Sequence, residues 1–239
     1  MMNDDVNEKD EAAVRLRVMT TCVRLFLAHG FRETQPKQIF QAADISDEEF
    51  FELFGTKGDV LNELTKIMFE NQFAIAAEIA GPDADPLLQY AVEICLQLTL
   101  VGLSKNLREI YVEAYARPDT IELIINKTAV ELYRIFSPYE PGCTVEDFRR
   151  FDPGIAGTMQ AYMVRPEDEF IPLQSKQRWF LTNTFRYYHV PEEKSKPIVD
   201  YVVGLDLRDA ACDALERLFR KLGMDYTFVP DAPTEEDAL

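Results

Sequence analysis

Residues 44–52 read D-I-S-D-E-E-F-F-E, and how they are read decides the fold. Ser46 followed three residues later by Glu49 is a capping box, in which each side chain satisfies an orphan amide at a helix start. Asp44, just before it, is one of the few residue types that tolerate left-handed backbone. Upstream, P-K-Q-I-F-Q-A-A at 36–43 opens with a proline suited to a first helical turn. Together these signals spell a short helix, a tight turn and a second short helix ending near Phe54-Gly55. Such a pair places its second helix in a major groove when the partner is DNA. Here that helix carries Asp47, Glu48, Glu49 and Glu52, and no Lys or Arg. DNA presents one phosphate charge per about 1.7 Å of axis, and neutralising it supplies most non-specific affinity. The stretch therefore has the layout of a DNA reader and the opposite charge. The plain alternative is a solvated face whose first-turn acids complement the helix dipole.

Outward from the turn, the chain stays helical. Leu16, Met19, Val23 and Phe26 recur at steps of three and four, which predicts a helix from about Glu11 to His29 with Gly30 as its stop. A long helix is expected from Lys57 to Ala80, burying Val60, Leu61, Leu64, Ile67, Met68 and Ile75. G-P-D-A-D-P at 81–86 breaks the chain, with Asp85 as N-cap and Pro86 at the first helical position. Further helices are read at 86–103, 105–116, 120–136, 153–164, 173–188, 192–203 and 206–222. Thr144 to Asp147 offers one more short capped turn. Period-two alternation is scarce and no Asn-Gly hairpin turn occurs, so the expected fold class is all-α.

Three short helices followed by a long one carry a resemblance. The segments L-F-L-A-H-G-F-R-E-T at 25–34, I-F-Q-A-A-D-I-S at 39–46 and F-F-E-L-F-G-T-K-G-D-V-L at 50–61 resemble the DNA-binding domain of TetR/AcrR-family one-component regulators. Gly30, Phe31, Thr34, Ile39, Ile45, Ser46, Phe54, Lys57 and Leu61 occupy matching places over residues 15–61. Six positions depart from the pattern: Asp44 replaces a turn glycine, Phe40 an alanine and Phe51 a tyrosine, and Asp47, Glu48 and Glu49 fill the variable sites.

The resemblance implies an acidic N-terminus at 1–10, a helix-turn-helix head at 11–56, a larger helical ligand-binding and dimerisation domain at 57–223, and an acidic tail at 224–239. The two terminal segments are expected to be disordered. It further implies operator DNA as a partner, contacted through Arg32, Thr34, Lys37 and Lys57 at phosphates and through Ser46, Asp47, Glu48 and Phe50 nearer the bases, with Phe51 where the pattern's tyrosine hydroxyl would reach a phosphate. A small apolar effector would lie among aromatics such as Tyr111, Tyr115, Tyr162 and Trp179. A homodimer would form through the last helix, by Leu207, Ala210, Ala211, Ala214, Leu215 and Leu218, paired with the helix at 173–188. The implied function is a ligand-responsive transcriptional repressor. A dimer of the same fold that no longer reads DNA and acts through protein or small-molecule contacts is the alternative.

Composition narrows the classes. With 47% apolar residues in 239, a packed core is available. A net charge of −17 disfavours non-specific attraction to nucleic acid or anionic lipid. Over residues 1–60, seven basic side chains face twelve acidic ones. Cys22, Cys95, Cys143 and Cys212 form no C-x-x-C pair and read as small buried hydrophobes. The acidic start M-M-N-D-D-V-N-E-K-D lacks a signal peptide's apolar stretch, and no apolar run approaches the 18 or so residues of a membrane helix. A cytoplasmic protein without a membrane partner is expected. Catalysis is not expected. His29 and His189 are the only histidines, and no metal, cofactor, P-loop or nucleophile-elbow pattern is present.

Overall fold

The computed structural model describes residues 2–231, with side chains from Asp10 onward. Within them lie α1 (Met2–His29), α2 (Pro36–Ala43), α3 (Asp47–Phe54), α4 (Lys57–Ala80), α5 (Pro86–Gly102), α6 (Lys105–Ala116), α7 (Pro118–Phe136), α8 (Val145–Val164), α9 (Leu173–Tyr187), α10 (Glu192–Val203) and α11 (Arg208–Lys221). No strand occurs among the described residues. The chain is all-helical.

Local chemistry sets most of the boundaries. Ser46 with Glu49, Thr56 with Asp59 and Thr144 with Asp147 close reciprocal capping boxes at the starts of α3, α4 and α8. Asp85 and Ser104 cap α5 and α6 through Leu87 N–H and Leu107 N–H. Each such cap is worth about 1 kcal/mol. Gly30 ends α1 at φ 86°, a backbone angle that a side chain would strain. Gly58 makes room for a side chain. A Cβ there would collide with the Arg117 guanidinium, so glycine lets the first turn of α4 approach the α6–α7 junction.

α5 is the centre of the molecule. Its sequence Y-A-V-E-I-C-L-Q-L-T-L at 90–100 is buried on every side, and α4, α6, α7, α9, α10 and α11 all pack on it. A helix apolar all round belongs in a core. The N-terminal head of α1–α3 joins this body without a break. Phe26, Phe31, Ile39, Phe50 and Phe54 belong to the same continuous apolar cluster as α5. α1 also rests on α6, where Asn106 donates to the Leu27 carbonyl at 2.8 Å and Glu109 accepts the Arg32 N–H at 2.6 Å.

Three expectations need correction. α1 begins at Met2, so residues 2–10, expected to be disordered, extend the first helix. α8 is one helix of 20 residues, where only a short turn and a helix from 153 were expected. Pro153 sits inside it. Removing one helical hydrogen bond there costs about 3 kcal/mol. That is offset by Phe148, fully buried upstream and stacked on Tyr188 at 5.5 Å. The tail is docked as far as it is described. Met224 is buried, Tyr226 meets Phe219 edge-on at 5.1 Å, and Asp231 accepts the Lys105 N–H at 2.8 Å. Residues 232–239, also expected to be disordered, lie outside the described residues.

Candidate effector cavity and DNA-reading head

In the head, α2 and α3 meet through Asp44, which adopts φ 49° and ψ 62° and so performs the turn usually given to glycine. The Ile45 N–H returns to the Phe40 carbonyl at 3.1 Å. Ser46 Oγ accepts the Glu49 N–H at 3.1 Å, while Glu49 accepts the Ser46 N–H at 3.0 Å. These hydrogen bonds hold the Glu49 carboxyl below the usual carboxylate range. Asp47, Glu48, Phe51 and Glu52 are exposed on the open face of α3. Phe40 is not wedged between helices. It lies half-buried against Phe50 at 5.1 Å and Phe51 at 5.9 Å, an aromatic cluster filling the space a small residue would leave.

Several residues expected at DNA are occupied inside the protein. Thr34 is fully buried and its hydroxyl donates to the Gly30 carbonyl at 2.7 Å. Phe50 is fully buried and serves the head's core, so it does not face bases. Lys57 Nζ donates to the carbonyls of Phe31 at 2.7 Å and Thr34 at 2.8 Å and lies over the Phe31 ring. Partial burial lowers its pKa. Arg32 is exposed but leans toward Glu113 at 3.5 Å. Lys37 is exposed and makes no hydrogen bond or ion pair among the described residues, as does Arg24 on α1. Ser46 is exposed at the cap, beside Asp47 and Glu48.

A cavity of about 50 Å³ lies in the body between α4, α5, α6, α7, α8 and α9. Its apolar wall includes Phe69, Phe73, Ile94, Ile124, Met159 and Phe180, and its polar wall is Glu93, Gln97, Tyr115, Thr128, Glu131 and Asp152. A cleft of about 440 Å³ between α4, α5 and α7 shares Phe69, Phe73, Tyr90, Glu131 and Ile135 with it. Glu93 and Asp152 are each 4% exposed. Burial pushes the Glu93 carboxyl up to about 8 and the Asp152 carboxyl up to about 6, the latter despite a hydrogen bond from Thr128.

The aromatics expected at the effector are divided by the fold. Tyr115 lines the cavity, with its hydroxyl accepting Gln97 Nε2–H at 2.9 Å. Tyr111 is buried one turn away but faces Gln72, outside the cavity wall. Tyr162 is half-buried and meets Phe180, a wall residue, edge-on at 6.4 Å. Trp179 is 60% exposed and lines no interior space, because Lys176, Gln177, Phe180 and Leu181 take the inward face of α9. Glu93, Gln97 and Asp152 were missed. Polar residues on a helix whose surroundings are otherwise apolar were the available signal for the first two.

The expected dimer surface on α11 is used within the chain. Leu207, Ala211, Ala214, Leu215 and Leu218 are all at least nine-tenths buried in the single chain, and Ala210 is half-buried. The small residues let α11 approach α4 and α5, and Asn71 on α4 donates to the Ala214 carbonyl at 2.7 Å. Trp179 and Tyr187 on α9 and Tyr201 on α10 are among the exposed large apolar side chains.

No protein-family model matches the chain, and no curated protein matches it. Among solved structures, the crystal structure of a gamma-butyrolactone receptor (ArpA like protein) superposes with a TM-score of 0.41 at 12% identity, covering 90% of this chain and 100% of that one. No described helix is long and apolar enough to cross a membrane.

Proposed function

We propose that the chain is a ligand-responsive, one-component transcriptional regulator, a repressor that holds operator DNA as a homodimer and releases it when a small effector enters the cavity. The observation that carries this reading is α4. Its first residue, Lys57, grips the carbonyls of Phe31 and Thr34 at the entry to the helix-turn-helix. Phe69 and Phe73, about 18 Å and 24 Å further along a rise of about 1.5 Å per residue, are cavity walls. A ligand that displaces those rings tilts a rigid rod whose other end holds the head. The effector then favours a head spacing that mismatches successive major grooves. The resemblance over residues 15–61 supports the same reading. The homodimer is assigned to α9 and α10, where Trp179, Tyr187 and Tyr201 supply apolar area against the repulsion of two chains of −17 each.

A second reading is a dimer of this fold that acts through protein contacts. It is favoured by α3, which exposes Asp47, Glu48 and Glu52 and no cation. Selection from a random duplex pool at about 50 mM salt with no effector separates the two, because phosphate contacts are strongest at low salt. The regulator reading expects enrichment of a two-half-site sequence. A pool that stays random favours the protein-contact reading.

A further inference from the structure

The cavity is unusual in the kind of polar atom it presents. Glu93 is buried to 4% exposure and makes no hydrogen bond or ion pair among the described residues. Asp152 has the Thr128 hydroxyl as its hydrogen-bond partner. Gln97, also on the wall, donates its amide N–H to Tyr115. No Lys, Arg or His lines the space, while the acids Glu93, Asp152 and Glu131 do, the last already paired with Arg134. A carboxyl held in an apolar wall without a partner is costly, and the cost is recovered when a charged donor arrives. Acceptors without cations disfavour a carboxylate or phosphate ligand.

The approach is compatible with a cation. At the rim of the outer cleft, Lys127 pairs with Glu70 at 3.0 Å and Arg134 with Glu131 at 2.8 Å, so the basic groups there are already neutralised. The inner space of about 50 Å³ suits an ammonium and a carbon or two, and the cleft of about 440 Å³ suits a larger body. Phe69, Phe73, Ala76, Ala77, Tyr90 and Ile135 make that cleft predominantly apolar.

We propose that this cavity binds a lipophilic organic amine in its protonated form, with the ammonium seated against Glu93 and the apolar body in the cleft against Phe69 and Phe73. This rests on the cavity being the effector site, and it changes the expected effector from an apolar molecule to a cationic amphiphile. Binding draws the proton from Glu93, whose carboxyl sits at about 8 when the cavity is empty. An alkylammonium, which titrates near 10 as a lysine does, stays charged throughout the same range.

The test is calorimetric, on the full chain without DNA, so that its outcome is independent of whether the head reads an operator. The probes are n-octylamine, 1-octanol and octanoate, which share a tail and differ in head charge. Octylamine is expected to bind about 10–100-fold more tightly than octanol, the worth of a charged hydrogen bond. Octanoate is expected not to bind. Glu93→Gln should remove the preference for the amine over octanol. Repeating the titration of the unaltered chain at pH 7 in two buffers of different ionisation enthalpy should show net proton release on amine binding. Octanol or octanoate binding as tightly as octylamine overturns the proposal. So does Glu93→Gln with undiminished amine preference, the absence of proton release, or no binding of the amine at all.

Discussion

Asp47, Glu48 and Glu52 lie on an open helix face, where water screens them and they cost the fold little. Glu93 and Asp152 lie in an apolar cavity, where each carboxyl is pushed up toward neutrality. The head and the body thus hold acids in opposite ways. The difference teaches where to look for function. A surface acid is tolerated almost anywhere, so the acidity of α3 says how a partner is approached. A buried acid without a partner is costly, so Glu93 is the residue on which the proposed effector site rests.

That comparison is sharpened by placing new carboxylates in known environments. Ala211 is fully buried where α11 meets α4 and α5, with no cavity to receive a side chain. Ala211→Glu should destabilise the monomer by about 5 kcal/mol or more, seen as loss of the cooperative thermal transition. Trp179→Glu puts the same charge at an exposed position of α9. It should cost the monomer less than about 1 kcal/mol while shifting sedimentation from dimer to monomer. If Ala211→Glu melts normally and merely dissociates a dimer, α11 is a partner surface after all.

Removing the buried acid should act through pH. The Glu93 carboxyl lies at about 8 in the folded chain against 4.5 for the free group. A raised carboxyl favours the folded state at low pH, and that contribution is lost as pH rises from 4.5 through 8. Glu93→Gln should therefore leave stability nearly unchanged at pH 4.5. At pH 8.5 it should raise stability by about 4–5 kcal/mol, or roughly 10–20 °C in Tm. An equal shift at both pH values would mean that the carboxyl is not paying for burial.

The smallest effect on stability is expected at the head. Asp47→Lys with Glu48→Lys should change stability by less than about 0.5 kcal/mol. On DNA the pair should steepen the dependence of log affinity on log salt by about 0.9 per added phosphate contact. An unchanged slope would show that this face of α3 never meets the backbone.

Much of this arrangement was legible in the chain. Capping signals at Ser46, Asp85 and Thr144 and the breaks at Gly30 and Gly81 are local, so they locate helix starts and stops from a few residues. Burial partners are not local. The alanines of α11 announce a face built for close approach, but periodicity does not say whether α4 or a second chain meets it. Thr34 and Lys57 stand where DNA contacts were expected. Their hydrogen bonds go instead to carbonyls brought near by the turn after α1, which only the assembled head shows. Pro153 and the segment from Met224 to Asp231 read as breaks because their compensation comes from distant partners, Tyr188 and the start of α6. Glu93 was within reach. An acid in Y-A-V-E-I-C-L-Q-L-T-L cannot escape to water when every neighbouring turn is apolar.

The central claim is that this acidic head nevertheless holds DNA, through few cations, until the cavity fills. The direct measurement is the affinity of the chain for its selected duplex between about 50 mM and 200 mM salt. With Arg32 and Lys37 as the exposed basic residues among the expected phosphate contacts on each of two heads, the predicted slope of log affinity against log salt is about −4 or shallower. Binding with that shallow slope supports the account. No binding at about 50 mM salt contradicts it, because electrostatic attachment is then at its strongest.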